Sequence, residues 1–126
     1  MATAVILGGG EWMRHGVHRK RWEWTTTATG FSDNLSAAHL PNKTVLFFGP
    51  SGGQTNVLLE GAIYASGPFT TLTSASGASL TFTDASPGVL YKVHENPAFI
   101  RARASTVTTG ATGLPIVEII SSHYAG

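Results

Sequence analysis

Short segments in which polar and apolar residues alternate recur along most of the chain, and this pattern limits the fold more than any other feature. Trp22 and Trp24 alternate with Glu23 and Thr25, and the same spacing recurs around Glu118. Alternation with a period of two is typical of a β-strand that buries one face. Turn-forming Gly, Pro, Ser and Asn residues separate the segments, at 66–68, 76–77, 86–88, 96–97 and 110–113.

The composition agrees with a β-rich protein. Gly, Ser and Thr make up about a third of the chain, and only 12% of the residues are charged. Helical bundles need Ala, Leu, Glu, Lys and Arg on their surfaces, so this class is excluded, and 42% apolar residues exclude a disordered chain. We therefore predict an all-β fold, an antiparallel β-sandwich or small jelly roll of about eight strands with an extended N-terminal arm. One helical turn is predicted at residues 33–39.

The positive charge is concentrated near the N-terminus. The chain has 126 residues, which predicts one domain, and eight Lys and Arg residues. Half of these cations are Arg14, Arg19, Lys20 and Arg21, and they follow a glycine triplet that predicts a flexible joint. We therefore predict an extended basic arm at residues 1–21 and a β-sandwich domain at residues 22–126.

Tryptophans lie among these cations, and three interpretations of the segment remain open. The arm binds nucleic acid through phosphate pairing and stacking, or it binds an acidic protein surface, or its tryptophans pack on the core of the same chain. The remaining sequence is slightly acidic and the pI is about 8.2, which favours a protein partner over nucleic acid. The predicted contact residues are Trp12, Arg14, Arg19, Lys20, Arg21, Trp22 and Trp24.

The sequence contains no recognisable catalytic, cofactor or metal motif. It has no cysteine, and the glycine-rich segment GPSGGQT at 49–55 lacks the lysine of a phosphate-binding loop. His15 and His18 are three residues apart, a spacing that suits a metal only on a helix. We predict no catalytic residue, no cofactor and no metal, and the absence of long apolar runs predicts no membrane partner.

Several short motifs resemble a family of small virion proteins of tailed phages. They are KTV at 43–45, GG at 52–53, LLEG at 58–61, TL at 71–72, GASLTFT at 77–83 and ENPAFIR at 95–101. The family often has Ser-Asn-Asp-Gly and then Trp after the Glu-Gly pair, whereas this chain has AIYASGPF at 62–69, with Phe69 in the Trp position. The resemblance implies a β-sandwich on the capsid surface or elsewhere in the virion.

The leading hypothesis is a non-enzymatic capsid decoration (cement) protein, synthesised in the host cytoplasm and located on the capsid surface. Its expected partners are the major capsid protein and further copies of itself, as a homotrimer. The predicted subunit contact is formed by Phe99, Arg101 and Arg103. Alternatives are a head–tail connector or tail component, a carbohydrate-binding module that uses Tyr64, Phe69 and Tyr91, and a small hydrolase that uses carboxylates such as Glu60 and Glu95.

Overall fold

The computed structural model describes residues 6–14, 17–24, 29–38, 40–48, 56–82, 88–106 and 115–122. These residues form eleven strands and no helix. The strands are β1 Ile6–Arg14, β2 Val17–Trp24, β3 Gly30–Phe31, β4 Leu35–Ser36, β5 Lys43–Phe48, β6 Asn56–Ala62, β7 Thr70–Thr71, β8 Thr81–Phe82, β9 Val89–Lys92, β10 Phe99–Thr106 and β11 Ile116–Ser122. In the part of the chain that is described, no helix is long and apolar enough to cross a membrane.

The strands form two sheets. Sheet A has five strands in the order β1-β2-β11-β5-β9, and every pair in it is antiparallel. Sheet B has six strands and is built on the antiparallel pair β10 and β6, with the short strands β3 and β4 beside β10, and β7 and β8 beside β6. The predicted all-β antiparallel sandwich is therefore confirmed.

The alternating sequence pattern places one face of each long strand in a shared core. Sheet A contributes Trp22 from β2, Phe47 from β5 and Ile119 from β11, while sheet B contributes Leu59 from β6 and Ile100 from β10. All five are buried. Burial of this apolar surface is the main favourable contribution to folding, at roughly 25 cal/mol for each Å² removed from water.

The N-terminal segment is part of this sandwich, and this differs from the predicted domain division. β2 lies between β1 and β11 in sheet A, so the predicted boundary between Arg21 and Trp22 falls inside a strand. The reason is that the period-two pattern extends to His18 and Lys20, whose side chains face the core side with those of the tryptophans. The arm of residues 1–21 is therefore replaced, where the structure describes it, by a β-hairpin.

The segment predicted as a helical turn is extended instead. β4 occupies Leu35–Ser36 and pairs with β10, while Ala37 donates a backbone hydrogen bond to the carbonyl of Ala98 over 2.7 Å. Pairing with sheet B satisfies these backbone groups in place of a helix, and it buries Leu35.

Candidate functional site

The hairpin of β1 and β2 carries the predicted contact residues. β1 pairs with β2 from Ile6 to Arg14, with an irregularity between Gly8 and Gly10. Among the described residues, no strand pairs with the other edge of β1. In this register Trp12 lies opposite Arg19 and Arg14 lies opposite Val17. Both predicted β1 residues therefore occupy the regular part of an edge strand.

Three of the predicted contact residues are buried within the chain, and their role in partner binding stays a prediction. Trp22 and Trp24 belong to the hydrophobic core, and Lys20 is 7% exposed. The indole of Trp22 and the ammonium of Lys20 share one partner, Asp33, which follows β3. This agrees with the interpretation in which the tryptophans pack on the core of the same chain.

Arg19 and Arg21 point to the opposite, outward side of β2. Arg19 lies 3.8 Å from Glu118 of β11, and Arg21 lies 2.7 Å from Glu23. The side chains of both arginines are about 40% exposed. Exposed ion pairs of this kind contribute little to stability, so their main effect is on what this surface can bind.

The outward side chains of β2, β11, β5 and β9, which we name the A face, include many apolar residues. Leu90 is 67% exposed and Ile120 is 40% exposed. Strand register places Leu90 beside Leu46, and Phe48 beside Ile116, so the apolar residues are adjacent across three strands. An outward sheet face is usually polar, and a contiguous apolar patch of this kind marks an interaction surface.

Sequence reasoning did not identify the A face, although one signal was present. The segment Val45–Phe48 is apolar at every position. A strand with apolar residues on both sides is typical of one that is covered on both sides. The core accounts for Val45 and Phe47, which leaves Leu46 and Phe48 on the A face.

The predicted subunit contact lies on the outward side of sheet B, where it makes interactions within the chain. The guanidinium of Arg101 lies 4.2 Å from the ring centre of Phe31 and 3.8 Å from that of Phe69, and it donates a hydrogen bond to Glu60 over 2.9 Å. Arg103 is 3.6 Å from the same carboxylate. These contacts secure the segment that contains Phe69 to the sheet, because cation–π and charge-assisted contacts reinforce each other.

Phe99 precedes these arginines on β10 and pairs in register with Ala62 and Ser36. It is partly buried, as is Arg101, while Arg103 is half exposed. The contact with another subunit that was predicted for these residues stays a prediction.

A groove of about 480 Å³ opens at one end of the sandwich, between the segments 61–72 and 95–97. Ile63 and Tyr64 lie on its wall, and they are 75% and 67% exposed. Gly61 allows the close packing beneath it, because a Cβ there would lie 2.7 Å from side-chain atoms of both Leu72 and Pro97. The structure thus presents two large apolar side chains beside a preformed groove.

The three aromatic residues of the carbohydrate hypothesis lie in three different places and do not form one binding surface. Tyr64 lines the end groove, Phe69 stacks against Arg101, and the ring of Tyr91 lies 5.5 Å from that of Phe82. Tyr91 belongs to sheet A, whereas Tyr64 lies two residues beyond the end of β6 in sheet B.

The two carboxylates of the hydrolase hypothesis both bind other groups of the same chain. Glu60 is buried and bound by Arg101 and Arg103, as described above. Glu95 accepts hydrogen bonds from the amide of Thr73 over 2.8 Å and from its hydroxyl over 2.6 Å. Burial alone would raise the pKa of Glu95, but these hydrogen bonds outweigh it and hold the pKa below its ordinary value.

A buried lysine lies close to the end groove. Lys43 donates hydrogen bonds to the carbonyl of Leu40 over 2.7 Å and to the amide oxygen of Asn96, which lines the groove, over 2.6 Å. Burial lowers the pKa of Lys43 because it disfavours the charged form. The lysine links the start of β5 to the segment before β10, which is a structural role.

The fold defines a class of small two-sheet β proteins that has members among solved structures. This chain is similar to the crystal structure of the SPBc2 prophage-derived protein YomS, with a TM-score of 0.54 and 15% sequence identity, over 87% of this chain and 97% of that one. At this identity the likeness shows the fold alone. No protein-family model matches the chain, and no curated protein matches it either.

Proposed function

We propose that this chain is a structural component of a tailed-phage virion, a capsid decoration protein that binds the outer capsid surface across capsomer joints and stabilises the expanded head. The observation that carries the proposal is the edge of β1, which no strand covers in the described part of the chain. An uncovered edge strand offers unpaired N–H and C=O groups to another chain. β1 contains neither Lys nor Pro, two residue types that protect such edges, and its irregularity between Gly8 and Gly10 leaves residues 11–14 as a regular stretch.

In this proposal β1 adds as a strand to the edge of a sheet in the major capsid protein. Trp12 and Arg14 lie in the regular part of β1 and are the proposed contact residues there. Main-chain hydrogen bonds supply affinity in strand addition, and alternate side chains supply specificity. The buried residues Lys20, Trp22 and Trp24 act indirectly, because they fix β2 in the sandwich and so position β1.

A decoration protein acts by binding to the capsid and does not need to catalyse a reaction. A protein that binds the expanded shell and not its dissociated parts stabilises the shell by mass action. Because the capsid lattice repeats each site many times, modest affinity at each site is sufficient. A two-sheet sandwich with paired strands suits a component that bears load.

Two independent similarities support a virion role. The short motifs at residues 43–101 resemble small virion proteins of tailed phages, and the protein with the similar fold is derived from a prophage. The homotrimer, the location on the capsid and the absence of enzymatic activity are parts of the proposal.

Counting copies in purified virions tests the proposal. Gel densitometry against the major capsid protein should find hundreds of copies in each particle, because decoration occupies every equivalent lattice site. About a dozen copies would instead identify a head–tail connector, because connectors form single rings. Absence from the virion would contradict both structural roles.

A further inference from the structure

The two ends of neighbouring strands on the A face carry opposite charges. Along β2 the outward side chains are Arg19, Arg21 and Glu23, each about 40% exposed. Ile116, Glu118 and Ile120 follow in the neighbouring strand, where Ile116 lies opposite Glu23 and Ile120 lies opposite Arg19. Each end of this double row therefore pairs a charge with an isoleucine, and the two charges are opposite.

A two-fold axis across the strands brings these ends together. If the axis lies in the plane of the A face at the level of Arg21, it places Glu23 of one copy over Arg19 of the other. The same operation places Ile116 over Ile120, and a two-fold contact makes every such pair twice. Arg21 and Glu118 lie on the axis, so each faces the same residue of the second copy, and these like charges weaken the contact.

Two leucines of the A face lie on the same axis. The register places Glu118 beside Leu46 and Leu46 beside Leu90, so these residues share the level of Arg21. The axis therefore sets Leu46 against Leu46 and Leu90 against Leu90 of the second copy. Leu90, 67% exposed in one copy, would lose contact with water in the pair.

We propose that the A face binds the A face of a second copy of this chain about a two-fold axis. The contact lies beyond the capsid site assigned above, since it uses the outward side of the sheet and leaves the edge of β1 accessible. Arg19 and Arg21, predicted from sequence as capsid contacts, are assigned to the contact between copies. The charges at the two ends and the leucines on the axis favour this arrangement.

The area available predicts a weak contact. Four strands about 4.8 Å apart and about six residues long, at about 3.4 Å for each residue, give roughly 400 Å² on each copy. Two such faces bury about 800 Å², which is below the roughly 1,200 Å² of stable specific interfaces and in the range of weak, transient ones. The pair should therefore form in a concentration-dependent way in solution and be favoured where many copies are held together, as on a capsid.

Charge reversal tests the contact across copies. The variant R19E places two carboxylates together at both ends of the interface, and it should raise the dissociation constant measured by sedimentation equilibrium by about tenfold. The double variant R19E/E23R restores opposite charges and should recover the original constant to within about threefold. Residues 19 and 23 lie about 13 Å apart along one strand, so they do not contact each other within a copy.

Recovery in the double variant is diagnostic because the contacts within each copy remain disrupted. Glu at residue 19 repels Glu118 of the same copy, and Arg at residue 23 repels Arg21 of the same copy. The double variant restores neither of these two ion pairs. A control is Ile63→Asp, which introduces a carboxylate at an exposed position of the end groove, away from the A face, and should leave association unchanged. Circular dichroism confirms that each variant is folded.

The outcomes separate this contact from the proposed function. A protein that stays monomeric at all concentrations, a trimer that forms through this face, or a double variant that fails to recover would each overturn the two-fold contact. Binding to the capsid is measured separately by cosedimentation. Pairing without capsid binding would overturn the capsid site alone, and capsid binding without pairing would overturn the A-face contact alone.

Discussion

Asp33 connects the two sheets through two hydrogen bonds to one strand. Its carboxylate accepts from the Lys20 ammonium over 3.0 Å and from the Trp22 indole over 2.8 Å. Asp33 follows β3 of sheet B, and both donors are on β2 of sheet A. A buried cation and a buried N–H are costly without partners, so one half-exposed carboxylate makes the burial of both side chains favourable.

Because of Glu95, the free energy of unfolding should decrease at acidic pH. Its pKa is lower in the folded chain than the ordinary value of 4.5, so above that value both states are charged and the stabilisation is fully present. As the pH falls towards the folded-state pKa, the unfolded chain binds more protons and the free energy of unfolding decreases. In Glu95→Gln this decrease should be smaller, as measured by urea denaturation at neutral pH and at a pH well below 4.5.

The partial variant Thr73→Val provides the control for this prediction. It removes the hydroxyl donor and keeps the backbone donor, so it should give part of the effect of Glu95→Gln. An acid dependence that is identical in the wild type and in Glu95→Gln would show that the Thr73 hydrogen bonds do not favour the charged carboxylate.

At the scale of elements, most of the long strands and two of the short strands follow from the sequence. The apolar run at residues 44–48 and the alternation at residues 55–61 and 115–121 predicted β5, β6 and β11, because each buries a complete face. The strands predicted at residues 69–73 and 79–83 contain β7 and β8. β3 and β4 have two residues each, which is too short for a period to appear. Their positions depend on pairing with β10, which is information that lies far along the chain.

The contact residues of β2 show why the site was predicted only in part. A cation and tryptophans close together in sequence indicate a binding segment when their surroundings are unknown. The surroundings of Lys20 and Trp22 are set by Asp33, more than ten residues further along, and by a partner sheet. Arg19 and Arg21 alternate along β2 with the buried residues Lys20 and Trp22. This alternation alone places the two arginines on the outward side of the strand.

Two N-terminal deletions should separate the hairpin from the core. Removing residues 1–14 takes away β1 and keeps β2, so the remaining chain should fold and lose capsid binding. Removing residues 1–20 also deletes half of β2 and the Lys20 contact with Asp33, so that chain should not fold. Near-ultraviolet circular dichroism of the tryptophans and cosedimentation with capsids that lack the protein measure the two effects. Capsid binding by the shorter deletion variant would exclude β1 as the capsid contact.

At the scale of the whole molecule, the proposed contacts lie on separate surfaces. The edge of β1 lies at one side of sheet A, the A face covers its outward side, and the end groove lies between segments of sheet B and its connections. One copy can therefore bind the capsid through an edge and a second copy through a face at the same time. This arrangement is what a lattice of weak contacts requires, because neither contact blocks the other.

Pairing through the A face should appear in the thermal stability of the whole molecule. Because pairing stabilises only the folded chain, Tm should rise by about 3–6 °C for a hundredfold increase in protein concentration above the dissociation constant. Leu90→Asp introduces a charge on the axis of the contact, on a side chain of β9 that is mostly exposed in one copy, so its Tm should not depend on concentration. Ile63→Asp, at the end groove, should keep the concentration dependence of the wild type. Differential scanning calorimetry over a concentration series measures all three proteins, and equal slopes for the wild type and Leu90→Asp would contradict association through this face.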